Sequence, residues 1–157
     1  TKDFGIPQSR NRVFFVCIRK DLNQPFTFPE KEGLSIKLNE FIDFDLIDEN
    51  LQLKGKWLEW TKTESFKRYC DKKLSAVNPD ISICMVARQY ASWKGTFITD
   101  KTGKIRRLSP TECFMLMGFA KDEIIFGNVD EATLYKAAGN GWDINLVSKI
   151  FEKMFES

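Results

Sequence analysis

The pattern of polar and apolar residues changes abruptly near the start of the chain, where a polar segment is followed by the apolar run Val-Phe-Phe-Val-Cys-Ile. The run covers residues 13–18, is rich in β-branched and aromatic residues, and is bounded by charge, which predicts a buried strand. Before it, Gln8, Arg10 and Arg12 occupy every second position. Alternate residues of an extended chain face the same way, so we expect one row of hydrogen-bond donors. Two interpretations stay open: an ion-paired strand entry, or a row that binds an anionic or carbonyl-rich partner.

The middle of the chain contains one clear helical pattern and one ambiguous segment. Thr61 and Glu64 have the spacing of a capping box, in which hydroxyl and carboxylate each satisfy a backbone N–H group. Apolar residues then recur at helical spacing, at Phe66, Tyr69, Cys70 and Leu74. This pattern predicts a helix over 62–74. Residues 34–53 alternate apolar and acidic positions instead and are compatible with a helix or with mixed structure.

Strands and a short helix are predicted further along. Residues 81–86 and 95–99 have the composition of strands, and the Asp-Lys-Thr-Gly-Lys segment at 100–104 predicts a turn between the second of these and Ile105. The sequence Ser-Pro-Thr-Glu at 109–112 predicts a helix start, with a serine cap, a proline in the first turn and a capping-box glutamate. Gly118 is a candidate helix stop.

Two more helices are predicted near the C-terminus. Asp130 caps a helix that extends through Ala138 and is ended by Gly139. One apolar face of a final helix is formed by Ile144, Val147, Ile150, Phe151, Met154 and Phe155. The whole pattern indicates a mixed α/β protein with a loop-rich middle.

Composition bounds the class of protein. The chain has 157 residues, of which 43% are hydrophobic, enough to bury the core of one domain, with or without a smaller lobe. No apolar stretch approaches the roughly 18 residues of a membrane span, and no signal peptide is visible, so we expect a soluble, cytoplasmic protein. The chain has no His and no Cys-x-x-Cys pair, which argues against a zinc site and His-based nucleophilic pairs. Cys17, Cys84 and Cys113 lie in apolar stretches and are predicted to be buried thiols.

Charge is unevenly distributed although the formal net charge is only +2. An acidic block contains Glu40, Asp43, Asp45, Asp48 and Glu49. A basic block contains Arg88, Lys94, Lys101, Lys104, Arg106 and Arg107. The basic block is either a solvated face or a surface that meets phosphates.

Three segments resemble conserved motifs of DNA cytosine-5 methyltransferases. "DFGIPQSRNRVFFVCIRKD" resembles the eighth motif, Gln-x-Arg-x-Arg; "RRLSPTECFMLMGF" resembles the ninth; "YKAAGNGWDINLVSKIF" resembles the tenth, built on Gly-Asn. They occur in family order and cover both ends of the chain. The resemblance implies the C-terminal part of a Rossmann-like class I methyltransferase domain at 1–22 and 121–157, with a small mixed α+β target-recognition domain at 23–120.

The resemblance also implies roles for individual residues. Arg12 matches the family's last Arg in the eighth motif, which donates to the flipped cytosine near its O2 carbonyl and stabilises charge developing there. Gln8 and Arg10 match positions that help hold the DNA backbone and order the site. We expect Arg88 and Arg106 in the recognition region to contact DNA as well, although the ninth motif, formed here by Arg106, Leu108 and Glu112, is mainly structural in the family.

The tenth motif implies an S-adenosylmethionine site that includes Asn140 and Gly141. No metal site is expected, because the sequence has no His and no Cys-x-x-Cys pair. Base stacking on Trp57, Trp60, Trp93 or Trp142 is possible, with core packing as the alternative.

The family's nucleophilic Pro-Cys pair is missing, since none of the four Cys follows a Pro. The Gly-rich cofactor loop and the Glu-Asn-Val segment are missing too. We therefore expect a part of an enzyme, inactive alone, whose partners are double-stranded DNA and an N-terminal catalytic half in the same chain or a separate subunit. Departures at Gly141, Ala120 and Cys84-Met85 motivate an alternative, a catalytically inactive DNA-binding module of the same fold.

Overall fold

The computed structural model describes residues 1–22, 24–33, 35–92 and 94–155. Its helices are α1 (Lys56–Trp60), α2 (Glu64–Asp71), α3 (Pro110–Met115), α4 (Glu131–Asn140) and α5 (Ile144–Phe155). Its strands are β1 (Gln8–Ser9), β2 (Ser75–Val77), β3 (Ser82–Ile83), β4 (Gly95–Thr99) and β5 (Ile105–Arg107). Short 3₁₀ turns lie at Lys20–Leu22, Leu38–Phe41, Gln89–Ala91 and Lys121–Glu123.

Two small sheets organise the chain. In the larger one, β4 lies between β2, which is parallel to it, and β5, which is antiparallel to it. The turn at 100–104 therefore closes a hairpin, as the sequence predicts. In the smaller sheet, β1 runs parallel to β3, with Gln8 opposite Ser82. This pairing joins the start of the chain to its middle.

The main buried cluster draws on distant parts of the sequence. It contains Ile6, Leu38, Met85, Ile98, Leu108, Cys113, Leu116, Met117, Tyr135 and Ala138. The hydroxyl of Tyr135 donates to the Leu108 carbonyl at 2.6 Å, which satisfies the polar end of this buried side chain. A second cluster, of Leu53, Phe66 and Phe97, lies between the larger sheet and α2. The main cluster thus contains residues from both predicted domains, for example Ile6 and Tyr135 from one and Leu38 and Met85 from the other.

The buried strand predicted at 13–18 is absent. These residues are in no strand or helix, and Val13 and Phe15 are 80% and 90% exposed. A strand needs a neighbour for its backbone hydrogen bonds, and none of the described residues pairs with this segment. The prediction that Cys17 is a buried thiol is wrong for the same reason, since it is exposed.

Helix boundaries differ from prediction where two capping residues compete. Thr63 caps α2, accepting from the Phe66 N–H at 3.2 Å, whereas the Thr61 hydroxyl donates to the Leu58 carbonyl of α1 at 2.7 Å. The preceding helix α1 ends at Trp60, which excludes Thr61 as the start of the next. The described part of this segment, residues 35–53, proves to be mixed and includes the 3₁₀ turn at Leu38–Phe41, while residue 34 lies outside the described residues.

Other predictions hold in part. The strand at 95–99 is confirmed, but only Ser82–Ile83 of the strand predicted at 81–86 forms. Cys113 is fully buried, where burial raises its pKa, whereas Cys84 is only half-buried. None of the helices in the described residues is both long and apolar enough to cross a membrane.

The C-terminal helices form where the sequence places them. Asp130 caps α4 by accepting from the Thr133 N–H at 3.0 Å. This helix runs through Gly139 to Asn140 instead of ending at the glycine. In α5, Ile150 is buried, but Phe151 and Phe155 of the predicted apolar face are exposed.

Candidate functional site

Arg10 lies at the centre of the site. Its Nη2 donates to the carbonyls of Gly139 and Gly141 at 2.9 and 2.5 Å, and its Nη1 donates to the Met85 carbonyl at 3.4 Å. The side chain is only 2% exposed. The burial lowers the pKa of Arg10, but a guanidinium starts so high that it keeps its charge at neutral pH. Of the two interpretations of the polar row, the carbonyl-rich partner is the one that the structure provides for Arg10.

The predicted single row of donors is divided between two sides. Gln8 is fully buried, with its Nε2 at 3.5 Å from the Leu116 carbonyl oxygen. Arg12 is exposed, and its Nη1 donates to the neighbouring Asn11 carbonyl at 2.8 Å. The strand geometry that would align the side chains stops at Ser9, where β1 ends. Arg12 is therefore the member of the row with a guanidinium accessible to a ligand.

Arg106 and Glu112 form a buried ion pair. The Arg106 Nη1 and Nη2 donate to the two carboxylate oxygens at 2.8 and 2.7 Å, and both side chains are at most 2% exposed. Arg106 Nη2 also donates to the Asp43 carbonyl at 2.9 Å, and a carboxylate oxygen of Glu112 accepts from the Asp43 N–H at 3.0 Å. Arg106, expected from sequence to contact DNA, is fully buried in this structure, with its guanidinium paired to this carboxylate. The pair instead holds the acidic segment against α3.

Glu112 has a second role at the start of α3. Its carboxylate accepts from the Ser109 N–H at 2.7 Å, while the Ser109 hydroxyl accepts from the Glu112 N–H at 3.2 Å. The capping box predicted from sequence is thus confirmed, with Pro110 at the first helical position. Gly118 lies in the turn after the helix with a φ of +93°, where a residue with a side chain would be strained.

Two further arginines and the tryptophans considered for base stacking differ in how exposed they are and in what they contact. Arg88 is exposed beside a 3₁₀ turn, while the Arg107 guanidinium lies 5.2 Å from the ring centre of Trp57. Trp57 and Trp60 pack against the second buried cluster. Trp142 is 55% exposed, and its ring meets Phe14 edge to face at 5.7 Å. Trp93 lies outside the described residues.

The segment predicted to bind cofactor borders a cavity of about 390 Å³. Asn140 is exposed at the end of α4, and Gly141, Trp142, Met117 and Phe119 contribute to the same cavity. The lining is mainly apolar, with the Asn140 carboxamide as a polar group. This donor set suits one side of a ligand that carries an apolar ring together with hydrogen-bonding groups, as S-adenosylmethionine does.

The sequence analysis assigned Gly139 a different role and did not name Asp143. A Cβ atom on Gly139 would lie 2.4 Å from the Ala87 nitrogen, so this glycine permits close backbone contact rather than ending a helix. Asp143 is 3% exposed; its Oδ1 accepts from the Asn145 N–H at 3.0 Å, and burial raises its pKa. Its position just before an apolar helical pattern is an N-cap signal that could have been recognised. No local sequence signal distinguishes the glycine's role.

Comparison with solved structures identifies the fold. A DNMT2 mutant from Spodoptera frugiperda matches with a TM-score of 0.72 and 20% identity, over 99% of this chain and 55% of that one. The Entamoeba histolytica methyltransferase EhMeth matches with a TM-score of 0.68 and 14% identity, over 98% of this chain and 50% of that one. The fold is therefore the mixed α/β, Rossmann-like type of cytosine methyltransferases.

Sequence comparison identifies the family. The family model for C-5 cytosine-specific DNA methylases matches residues 1–156, and the chain belongs to that family. The type II methyltransferase M2.ScrFI of Lactococcus lactis subsp. cremoris is 30% identical, over 99% of this chain and 43% of its own length. M.MspI of Moraxella sp. is 31% identical, over 96% of this chain and 35% of its own. The chain thus spans less than half the length of these curated relatives.

Proposed function

We propose that this chain is the C-terminal portion of a DNA cytosine-5 methyltransferase, which transfers a methyl group from S-adenosylmethionine to carbon 5 of a flipped cytosine. Family membership supports the reaction class, and the short share of the relatives' length supports a portion rather than a whole enzyme. The observation that carries the proposal is the arrangement around Arg10, which fixes the chain two residues before an exposed Arg12. The similarity to type II methyltransferases favours a restriction–modification role.

Arg12 is the residue proposed to act on the base. When a thiolate from the upstream half adds to carbon 6 of the cytosine, negative charge spreads towards O2 and N3. A guanidinium at O2 stabilises that charge through its positive charge and its planar set of N–H donors. The target base has to leave the helical stack to reach this position.

S-adenosylmethionine, when bound, supplies the methyl group. Asn140 and Gly141 would form one wall of its site, with the Asn140 carboxamide available for a hydrogen bond and the apolar cavity beside it for a ring. The space around Gly141 is limited, because a Cβ atom there would lie 3.0 Å from the Ala137 carbonyl oxygen. Glycine at this position, in place of the family's usual serine, suits that close approach.

The proposed DNA contacts divide into direct and indirect ones. Arg88 is exposed and is the candidate for a direct phosphate contact. Gln8, Arg10 and Arg106 are buried, so we assign them the support of neighbouring backbone rather than direct contact. Residues 23–120 would form the recognition domain, and 1–22 with 121–157 would belong to the catalytic domain.

The upstream catalytic half is the proposed protein partner. The exposed Val13 and Phe15 lie in a segment of strand-like composition that pairs with none of the described residues and is suited to joining a sheet formed by other strands. Phe151 and Phe155 of α5 are exposed apolar residues as well. The nucleophilic Cys and the rest of the cofactor site would come from this half.

The test combines this chain with its matching upstream half and measures transfer of labelled methyl groups to double-stranded DNA. Arg12→Ala is expected to reduce the rate about a hundredfold or more, with a much smaller change in DNA affinity, because it removes a donor that acts in the transition state. Arg19→Ala is the control, since Arg19 is a surface residue paired with Asp21. Absence of methylation from the combined wild-type protein would contradict the proposal.

A catalytically inactive DNA-binding module is the second candidate. It is favoured by the Gly-Phe-Ala sequence at 118–120 and by Cys84-Met85, both of which depart from the family pattern. This candidate predicts that the combined wild-type protein binds DNA without transferring methyl groups. Arg12→Ala would then weaken binding alone.

A further inference from the structure

We propose that Arg10 is a positioning residue that couples occupancy of the cofactor segment at 139–141 to the placement of Arg12 against the target base. The inference rests on the proposed function and adds to it a link between the two binding events. Through this link, DNA binding would tighten cofactor binding, and cofactor binding would tighten DNA binding to the same extent.

The guanidinium of Arg10 connects two segments that are distant in sequence. Its three carbonyl acceptors belong to Met85, in the proposed recognition region, and to Gly139 and Gly141, at the end of α4. A guanidinium can bind three carbonyls at once because its N–H groups are arranged in a fixed planar fork. Arg10 itself lies in the segment that carries Arg12, so one side chain holds all three parts of the site.

Close backbone packing joins the same two segments a second time. The hypothetical Cβ of Gly139 lies 2.4 Å from the Ala87 nitrogen and 2.5 Å from the Val86 carbonyl carbon. The end of α4 therefore contacts the backbone at 86–87 directly, with no side chain between them. Since Arg10 and this contact act in parallel, residues 85–87 and 139–141 form a single structural unit.

Burial makes the connection stiff. Arg10 is 2% exposed, so water cannot readily replace a carbonyl that moves away from the guanidinium. A buried charged donor left unpaired is more costly than a neutral one. A ligand that fixes 139–141 thereby also fixes Arg10, and with it the backbone two residues before Arg12.

The experiment uses the complete enzyme, with this chain and its upstream half, and two probes: S-adenosylhomocysteine and sheared chromosomal DNA. Calorimetry gives the affinity for S-adenosylhomocysteine with and without saturating DNA. In the wild type, DNA is expected to tighten this affinity about fivefold or more. The quantity compared is the ratio of the affinity for S-adenosylhomocysteine with DNA to the affinity without DNA. In Arg10→Lys, this ratio should fall to about one, because an ammonium is a point charge without the planar fork.

Arg19→Lys is the matched control, an equally conservative change at an exposed arginine of the same segment, and should retain the wild-type ratio. Thermal unfolding of each variant establishes that the ratio is measured on folded protein. A ratio in Arg10→Lys equal to that of the wild type would overturn the proposal, as would a wild-type ratio of one.

Gly139→Ala tests the same link without altering Arg10, and serves if Arg10→Lys does not fold. The added methyl group has to displace the backbone at 86–87, so it is expected to lower the ratio as well, whereas Lys136→Ala on the exposed side of α4 should not. An unchanged ratio in Gly139→Ala would overturn the rigid-unit argument. Failure of the wild type to transfer methyl groups would instead refute the proposed function.

Discussion

At the scale of single residues, the internal arginines stabilise the molecule through very different partners. Arg10 donates to neutral carbonyls, whereas Arg106 is paired with the Glu112 carboxylate. Burying a charge is costly unless it is paired or hydrogen-bonded, and both guanidinium groups meet this need through Nη1 and Nη2, while the Nε of each has no partner among the described residues. Both residues were expected from sequence to contact DNA, and in this structure both guanidinium groups are buried against protein acceptors.

Glu112→Ala is predicted to lower the free energy of unfolding by about 3–5 kcal/mol, because it leaves the buried Arg106 charge without its counterion. The change also removes an acceptor from the N–H groups of Ser109 and Asp43. Urea unfolding monitored by circular dichroism measures the effect. The double variant Arg106→Met with Glu112→Leu is the control and should retain more stability than the single change. A loss below about 1 kcal/mol for Glu112→Ala would contradict the prediction.

At the scale of elements, local signals worked where one short segment determines the outcome. Ser109, Pro110 and Glu112 define the start of α3 by hydrogen bonds within four residues, so the sequence predicts it well. The hairpin of β4 and β5 is similarly local. The helix α2 shows the limit of such signals, because Thr61 and Thr63 both have suitable hydroxyls and the preceding helix decides between them.

Thr63→Ala is predicted to cost about 1 kcal/mol of stability, the usual contribution of an N-cap hydroxyl. Thr61→Ala serves as its matched comparison and should cost less, because its hydroxyl donates to the Leu58 carbonyl and accepts no N–H from α2. The urea midpoints of the two variants show which substitution costs more stability. An equal or larger loss for Thr61→Ala would favour the cap originally predicted from sequence.

The features that could not be predicted from the sequence depend on contacts between residues that are far apart in the chain. The motifs placed Arg10 and Gly139 in the candidate site, but not the hydrogen bond across 129 positions that joins them. Gly139 was interpreted as a helix stop because close packing against Ala87 leaves no local pattern. The strand at 13–18 failed for a related reason: its composition is that of a strand, but pairing depends on a neighbour that no described residue supplies.

At the scale of the whole molecule, large apolar side chains on the surface are the main departure from an ordinary monomeric domain. Val13, Phe15 and Ile125 are each at least 80% exposed, and Phe155 is 74% exposed. Val13 and Phe15 share one segment, and exposed apolar side chains grouped in this way are typical of an interface. The proposed upstream half would cover the segment at 13–18.

Phe15→Ser is predicted to weaken association between this chain and the upstream half about tenfold or more, since burying a phenylalanine contributes about 1.5–3 kcal/mol. Stability of the chain itself should change little, because Phe15 is 90% exposed. Titration calorimetry of the two parts measures the affinity. Ile125→Ser, at an equally exposed site in a different loop, is the control, and an equal loss in both variants would count against the interface.

The uncovered segment at 13–18 also bears on how the protein behaves when it is made. Six consecutive residues with high strand propensity, no charge and no proline have the composition of segments that stack into cross-β aggregates. Arg12, Arg19 and Lys20 flank the segment and act as gatekeepers, because stacking identical strands in register would bring their positive charges together. The arginine proposed to stabilise charge on cytosine would thus also help to keep the unassembled chain in solution.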